Sequence, residues 1–330
     1  MNGRPEVSVV IPNWNGEKFV GKCLESLKNQ TFKDFETVFV DNHSADASVA
    51  RARETLPQAR IIPLSDNFGF AGGVNQGIRA AQGEMIALLN NDTEADPRWL
   101  EELCSTLKAN PGFGFATSKI ILMKDKKTID SCGDGYSWYG IPYPLGRDQI
   151  DRGQFDSNGK VFSACGGAAI YKKEVFEKVG LFDEDFFAYY EDTDLSFRAQ
   201  LAGYRCLFVP RAVVYHEGGK TSGRDKPRFA YYHPYKNRAL LVIKNIPAGL
   251  FLKNIHKFAA GMLYTLFHSI GNMQFFTLLR AWSRVAGLLV KKLGERKAIQ
   301  GRRTVSDEYL EQAILPQFPP VSRHFKFLQG

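Results

Sequence analysis

The chain of 330 residues has five cysteines (Cys23, Cys104, Cys132, Cys165 and Cys206) but no C-x-x-C pair among them. That excludes a zinc-thiolate site and the dense spacing of a disulfide framework. No G-x-G-x-x-G follows the first apolar run, so a dinucleotide fold of the dehydrogenase kind lacks its phosphate loop. Nothing ahead of that run resembles the apolar core of about 7 to 15 residues found in a secretory leader. A reducing, cytosolic setting is the expectation. The longest uncharged stretch, residues 258–274, contains His268 and Asn272 and falls short of the roughly 20 apolar residues of a membrane span.

Acidic residues are missing from 226–294, where eleven Lys or Arg stand, which leaves the remainder with 32 basic against 35 acidic residues. The basic residues there interrupt long Leu, Phe and Ala stretches, which track phosphates poorly. Nucleic acid is therefore excluded as a partner, and a basic amphipathic region lying on an anionic membrane surface is expected. A homodimer contact through the same apolar helices is the alternative, as are helices packed on the first part of the chain.

A hydrophobic content of 44% is enough for a large core. Short apolar runs alternate with helical spacing: strands at Val7–Ile11, Glu36–Val40, Arg60–Pro63, Met85–Leu89 and Phe113–Ile121, and helices at Lys18–Asn29, Ala47–Leu56, Gly73–Ala81 and Trp99–Leu107. This alternation calls for a mostly parallel, doubly wound α/β sheet. Residues 124–160 read as an insertion or a flexible loop. A strand over Phe162–Tyr171, interrupted at Gly166-Gly167, helices at Lys173–Val179 and Glu191–Ala202, and short strands at Cys206–Val209 and Ala212–Tyr215 complete a domain over 1–225. A helical region follows over 226–330.

Polar clusters stand at or near four strand ends: Pro12-Asn13-Trp14-Asn15, Asp41-Asn42-His43-Ser44, residues 65–76 and Asn90-Asn91-Asp92-Thr93. One such cluster is a turn. Four along a parallel sheet outline a ligand cleft, because open α/β sheets bind at the carboxyl ends of their strands. The glycines of NFGFAGGVNQG just before a helix allow close approach of a backbone to a diphosphate.

The ordered motifs VSVVIPNWNG, VDNHSAD, NFGFAGGVNQG, LLNNDT, GGAAIYKKEVFEKVGLFDEDFFAYYEDTDLSFR and VYHEGG resemble family 2 glycosyltransferases of the GT-A fold, particularly the rhamnosyltransferase-like branch. The resemblance covers residues 6–222. It implies inverting transfer of a sugar from a nucleotide diphosphate donor, with Mg²⁺ or Mn²⁺ as cofactor. By that resemblance Pro12, Asn13 and Asn15 line the nucleotide pocket and Asp41 holds the base, while Asn67, Gly72 and Asn75 flank the ribose and the donor. Asn90-Asn91-Asp92 takes the place of the family's Asp-x-Asp, with Asp92 as the metal carboxylate and His216 completing the metal shell. Asn90 departs from the pattern, since an amide binds a divalent cation less strongly than a carboxylate. Asp192 matches the base that deprotonates the acceptor. Glu191 beside it also suits a helix start, and Gly166 and Gly167 run along the acceptor and donor sugar. The branch suggests dTDP-rhamnose as donor, with UDP-sugars as the alternative. The acceptor it suggests is a surface or cell-wall glycan, polyprenyl-linked, at the inner face of the cell membrane. A membrane-associated nucleotide-binding scaffold that has lost catalysis is the reading Asn90 would favour.

Overall fold

The computed structural model describes residues 3–218 and 227–320, so the last glycine of VYHEGG and the ten C-terminal residues lie outside the described residues. The first half follows β1 (Val7–Asn13), α1 (Glu17–Lys28), β2 (Phe35–Asp41), α2 (Ser48–Thr55), β3 (Arg60–Pro63), α3 (Gly69–Ala80), β4 (Met85–Leu89), β5 (Thr93–Ala95), α4 (Trp99–Ala109) and β6 (Phe113–Leu122). Then come β7 (Ile129–Ser131), β8 (Asp134–Ser137), β9 (Ile141–Pro144), β10 (Gly159–Val161), β11 (Ala168–Lys172), α5 (Lys173–Val179), α6 (Glu191–Leu201) and β12 (Arg205–His216). Five helices close the chain: α7 (Pro227–Asn245), α8 (Ala248–Lys253), α9 (Ile255–Gly271), α10 (Phe275–Gly301) and α11 (Asp307–Ala313).

The main sheet runs β10-β12-β6-β11-β4-β1-β2-β3, with β5 added to β12 and β7 to β6. Strands β3, β2, β1 and β4 are mutually parallel, and β11 enters antiparallel between β4 and β6. Successive side chains of a strand face opposite sides. Val7, Val9 and Ile11 therefore pack with α1, α2 and α4 through Leu24, Ala52 and Leu103. Val10 packs the other way, with α3, α5 and α6 through Val74, Phe176 and Leu195. The result is the helix-sheet-helix sandwich that the alternation predicts.

Three segments differ from expectation. The strand expected over Phe162–Tyr171 is β11 alone, starting at Ala168, with 162–167 outside the named strands. The strands expected at 206–209 and 212–215 are one strand, β12, whose pairing with β6 slips between Val209 and Val213. Pro210, which has no N–H to donate, lies within that slip. Residues 124–160 do not form a flexible loop. They carry β7, β8 and β9, bury Ile129, Cys132, Tyr136 and Trp138, and are tied to β6 where Lys119 Nζ meets Asp151 Oδ2 at 2.9 Å and also Asp156.

The C-terminal helices share a core with the sandwich, since Leu240, Leu250, Phe258 and Leu288 pack with Tyr136, Phe162 and Phe197. Three cations of the basic third also turn inward. Lys236, Lys244 and Lys292 are buried. Lys244 Nζ lies 2.6 Å from Asp183 and 2.9 Å from Asp194, and Lys292 Nζ lies 2.5 Å from Asp183. Burial alone would push the Asp194 carboxyl up, but Lys244 and Arg198 outweigh it and hold it below its ordinary 3.8. The stability it supplies is therefore complete above that value and is lost as pH falls through the depressed one. Lys244→Met should cost about 3 kcal/mol in urea unfolding, the low end for a broken buried pair. Arg198 still pairs with Asp194 and Lys292 with Asp183. A change within 1 kcal/mol, measured against the ~3 expected, would refute it.

Candidate active site

Winding reverses at β1: β2 and β3 lie on one side and β4 on the other, which opens a crevice at the carboxyl ends of β1 and β4. Asn91 Nδ2 donates to Asn13 Oδ1 across it at 2.6 Å. Asn13 Nδ2 in turn donates to Ser48 Oγ at 2.9 Å and Ser44 Oγ at 3.0 Å, with Asp41 Oδ1 at 3.4 Å. The Asn15 amide oxygen accepts from the Ala45 N–H at 2.8 Å. Gly16 is required here, because a Cβ on it would fall 2.2 Å from Asn91 Nδ2. Asn13, Asn15, Asp41 and Asn91 thus form one hydrogen-bonded wall, with Pro12 against Gly73 beside it.

Across the wall, Asn67 Oδ1 accepts from the Gly69 N–H at 2.9 Å. Gly69 has φ +70°, and a Cβ there would strike the Phe187 carbonyl at 2.4 Å. A Cβ on Gly72 would fall 2.5 Å from the Phe68 Cβ. The side chain of Asn75, expected to flank the donor, is hydrogen-bonded within the protein. Its amide donates to the Phe182 carbonyl and Glu184 Oε1, each at 2.9 Å, and accepts from the Phe182 N–H at 3.0 Å. It fastens α3 to the 182–184 loop.

Asp92, buried after β4, lies with Oδ1 3.4 Å from His216 Nε2. His216 ends β12 opposite Thr93 of β5, and its Nδ1 lies 2.7 Å from Asp130 Oδ2. Arg147 reaches Asp130 at 3.0 Å. Burial would lower the His216 pKa, but hydrogen bonds to Asp130 and Asp92 raise it to about 10. These donors fit a divalent cation. A carboxylate oxygen and an imidazole nitrogen converge, and a second carboxylate orients the imidazole through its other nitrogen, the outer partner metal-binding histidines need. A cavity of about 130 Å³ lies beside His216, lined also by Lys124, Asp130 and Arg147.

Asp192 lies at the first turn of α6. Its Oδ2 accepts from the Gly166 N–H at 2.9 Å and its Oδ1 from the Thr193 N–H at 2.7 Å. Burial raises its pKa against those bonds. Burial and the charge of Asp192 push the neighbouring Glu191 carboxyl well up. Gly167 continues the chain toward the carboxyl end of β4, where its carbonyl accepts from the Asn90 N–H at 2.9 Å. One Gly-Gly dipeptide therefore spans from Asp192 to Asn90. Gly166 contributes a backbone donor, and a Cβ on it would be crowded, 3.3 Å from Asp192 Cβ and from the Phe70 ring.

The loop leading into α6 is strained. Phe187, Tyr189 and Tyr190 have φ of 66°, 68° and 66°, a conformation that persists only where surroundings enforce it. Buried Asn237 of α7 enforces it by donating to the carbonyls of Phe186, Ala188 and Tyr189 at 3.0, 2.8 and 2.6 Å. Sequence reasoning missed Asn237, and also Asp130 and Asp134, which lie in the segment read as an insertion.

Residues 8–180 match the family described as glycosyl transferase family 2. The O-antigen biosynthesis protein RfbC of Myxococcus xanthus is 27% identical over 253 residues, 71% of this chain but only 19% of that protein. The N-acetylglucosaminyl-diphospho-decaprenol L-rhamnosyltransferase of Mycobacterium tuberculosis (strain ATCC 25618 / H37Rv) is 26% identical over 242 residues, 66% of this chain and 78% of that one. Among the first relatives the span is short, from 19% to 30% of their length. Two solved structures share the fold: a Pyrobaculum calidifontis mannosyltransferase, PcManGT, in complex with GDP-Man and Mn²⁺ (TM-score 0.55, 18% identity, 94% of this chain and 84% of that one) and residues 1–349 of S. aureus TarS (0.54, 19%, 96% and 94%). Their coverage takes in the C-terminal helices, for which the sequence motifs offered no counterpart. The sheet is that of the GT-A fold, and the chain belongs to glycosyl transferase family 2.

Proposed function

We propose that the protein is an inverting glycosyltransferase that moves a sugar from a nucleotide diphosphate donor to a hydroxyl of a glycan acceptor. The observation that carries this reading is the Gly166-Gly167 dipeptide, which is hydrogen-bonded at one end to Asp192, a carboxylate suited to deprotonation, and at the other to Asn90, two residues before the Asp92 that meets His216. Asn13, Asn15, Asp41 and Asn91 wall the nucleotide, and Asn67 and Gly72 flank it. Asp92 and His216 would hold Mg²⁺ or Mn²⁺, which when bound would supply positive charge against the departing diphosphate. Asp192 takes the acceptor proton on the face opposite the leaving group, and its hydrogen bonds to Gly166 and Thr193 fix the carboxylate's direction.

The donor is dTDP-rhamnose and the acceptor a polyprenyl-linked surface or cell-wall glycan, a reading supported by similarity to a rhamnosyltransferase with a decaprenol-linked substrate in its name. Thermal stabilisation by a panel of nucleotide sugars, with and without Mn²⁺, tests it. The largest shift should come from dTDP-rhamnose with Mn²⁺. A larger shift from a UDP-sugar would replace the donor, and none from any nucleotide sugar would overturn the activity.

The C-terminal helices are read as seated on an anionic membrane surface at the inner face of the cell membrane. Thirteen of the seventeen large hydrophobic side chains exposed among the described residues lie between Leu252 and Leu293, including Phe267, Met273, Phe276 and Val290. No described helix is long and apolar enough to cross a membrane. A symmetric pairing of this face with a second copy would oppose like charges, Arg280 and Arg284, with no acid between residues 226 and 294 to relieve them. Phe267→Asp with Phe276→Asp should abolish flotation with phosphatidylglycerol vesicles while leaving hydrolysis of free donor unchanged. Unchanged flotation, or a wild-type dimer that the variant splits, would count against the membrane reading.

A further inference from the structure

This inference rests on the reading of Asp192 as the base. Asp134, at the start of β8, is the acid that reading leaves unused. A carboxylate oxygen of Asp134, one of Asp192 and the Cys165 sulfur all lie within 4.8 Å of one another. Asp134 is fixed there from two sides. Its N–H donates to the Ser163 carbonyl and its carbonyl accepts from the Ser163 N–H, each at 2.8 Å, while Ser131 Oγ donates to its Oδ1 at 3.0 Å. Ser163 is bonded at 3.0 Å to Ser196 of α6, the helix that begins beside Asp192. The pair of carboxyls is therefore built into the join between β8 and α6.

We propose that Asp134 and Asp192 act together as one base, Asp192 receiving the acceptor proton and Asp134 raising the proton affinity of the pair as a positioning residue. In the step, the acceptor O–H bond breaks and its proton goes to Asp192. The oxygen forms a bond to the anomeric carbon, and the bond from that carbon to the diphosphate breaks with its electrons leaving on the diphosphate. Two carboxylates this close resist ionising together, so the last proton leaves at a higher pH than from either alone. A base titrating near the working pH is the effective one.

The surroundings agree. Burial lifts the Asp134 carboxyl to about 7 and the charge of Asp192 adds to it; Ser131 and Arg147 oppose the rise and Asp130 adds to it. Glu191, Cys165, Tyr171 and Tyr190 also face the pair, and burial pushes each toward its neutral form. None of these four competes for the negative charge.

The test is the pH profile of kcat/KM for dTDP-rhamnose hydrolysis with Mn²⁺. Wild type should lose activity below pH about 7, the value to which Asp134 is raised. Asp134→Asn should move that acid limb down by about one pH unit or more, because a lone carboxylate holds its proton less tightly. Ser131→Ala removes a bond to the ionised form and should move the limb up, which keeps the inference testable if Asp134→Asn fails to fold. Carbon-13 NMR titration of the metal-free protein supplies a readout apart from turnover: a carboxyl resonance titrating near 7 in wild type should be gone in Asp134→Asn. An unmoved acid limb in both variants overturns the inference while Asp192→Asn remains inactive. Turnover in Asp192→Asn would instead overturn the base assignment beneath it.

Discussion

Asp192→Asn should cut glycosyl transfer by about 10² to 10⁴-fold, the usual worth of a general base, while donor affinity stays near the wild-type value. The amide keeps the shape of the carboxylate and can still accept one of the bonds from Gly166 and Thr193. What it loses is the lone pair that takes the acceptor proton. The same substitution should raise stability near neutral pH. The Asp192 carboxyl has its pKa raised by burial, so the folded state binds its proton more tightly than the unfolded chain. Stability from this group is greatest at low pH and falls as pH rises through the ordinary 3.8 toward the raised value. An amide avoids that loss, because it carries no charge to desolvate. Activity lost together with a higher melting temperature at pH 7 separates catalysis from folding. Wild-type turnover, or full loss of donor binding, would sink the assignment.

The sandwich was readable because β1, β2 and β4 are short apolar runs closed by polar clusters, a pattern that only a buried parallel strand explains economically. The crevice followed from where those clusters fall. The junction between β12 and β6 was harder: Pro210 reads as the end of a strand, yet the chain passes it with a slip in register and continues to His216. Strands β7 to β9 escaped notice because they are short, rich in Gly, Asp and Tyr, and lack the alternation that marks a sheet edge. Asp130 and Asp134 escaped with them. The inward pairing in the basic third was illegible for a different reason. A run of cations without acids looks like a solvated or lipid-facing surface, but Lys244 finds Asp194 and Asp183 at 50 and 61 residues' distance in the chain. Composition cannot display a partner so remote. The apolar outer faces of α9 and α10 are exposed while their inner faces close the core.

Asp92→Ala should weaken Mn²⁺-dependent donor binding by more than about 100-fold, beyond the roughly 10 to 100-fold that loss of an outer partner such as Asp130 costs. The reason lies in how little else is available at that end of the crevice. Asn90, in the position of the family's other carboxylate, has its backbone engaged with Gly167 and offers only a neutral amide. His216 would remain, but with its Nδ1 paired to Asp130 and no carboxylate on the other side. An imidazole alone holds Mg²⁺ or Mn²⁺ poorly, because these ions take oxygen donors first. Metal-free binding should change little, since the wall built from Asn13, Asn15, Asp41 and Asn91 does not involve the Asp92 side chain. Calorimetry of dTDP binding with and without Mn²⁺ separates the two contributions. Equal loss of affinity in both conditions would mean that Asp92 shapes the nucleotide pocket, and equal affinity for wild type and variant with Mn²⁺ would remove it from the metal site.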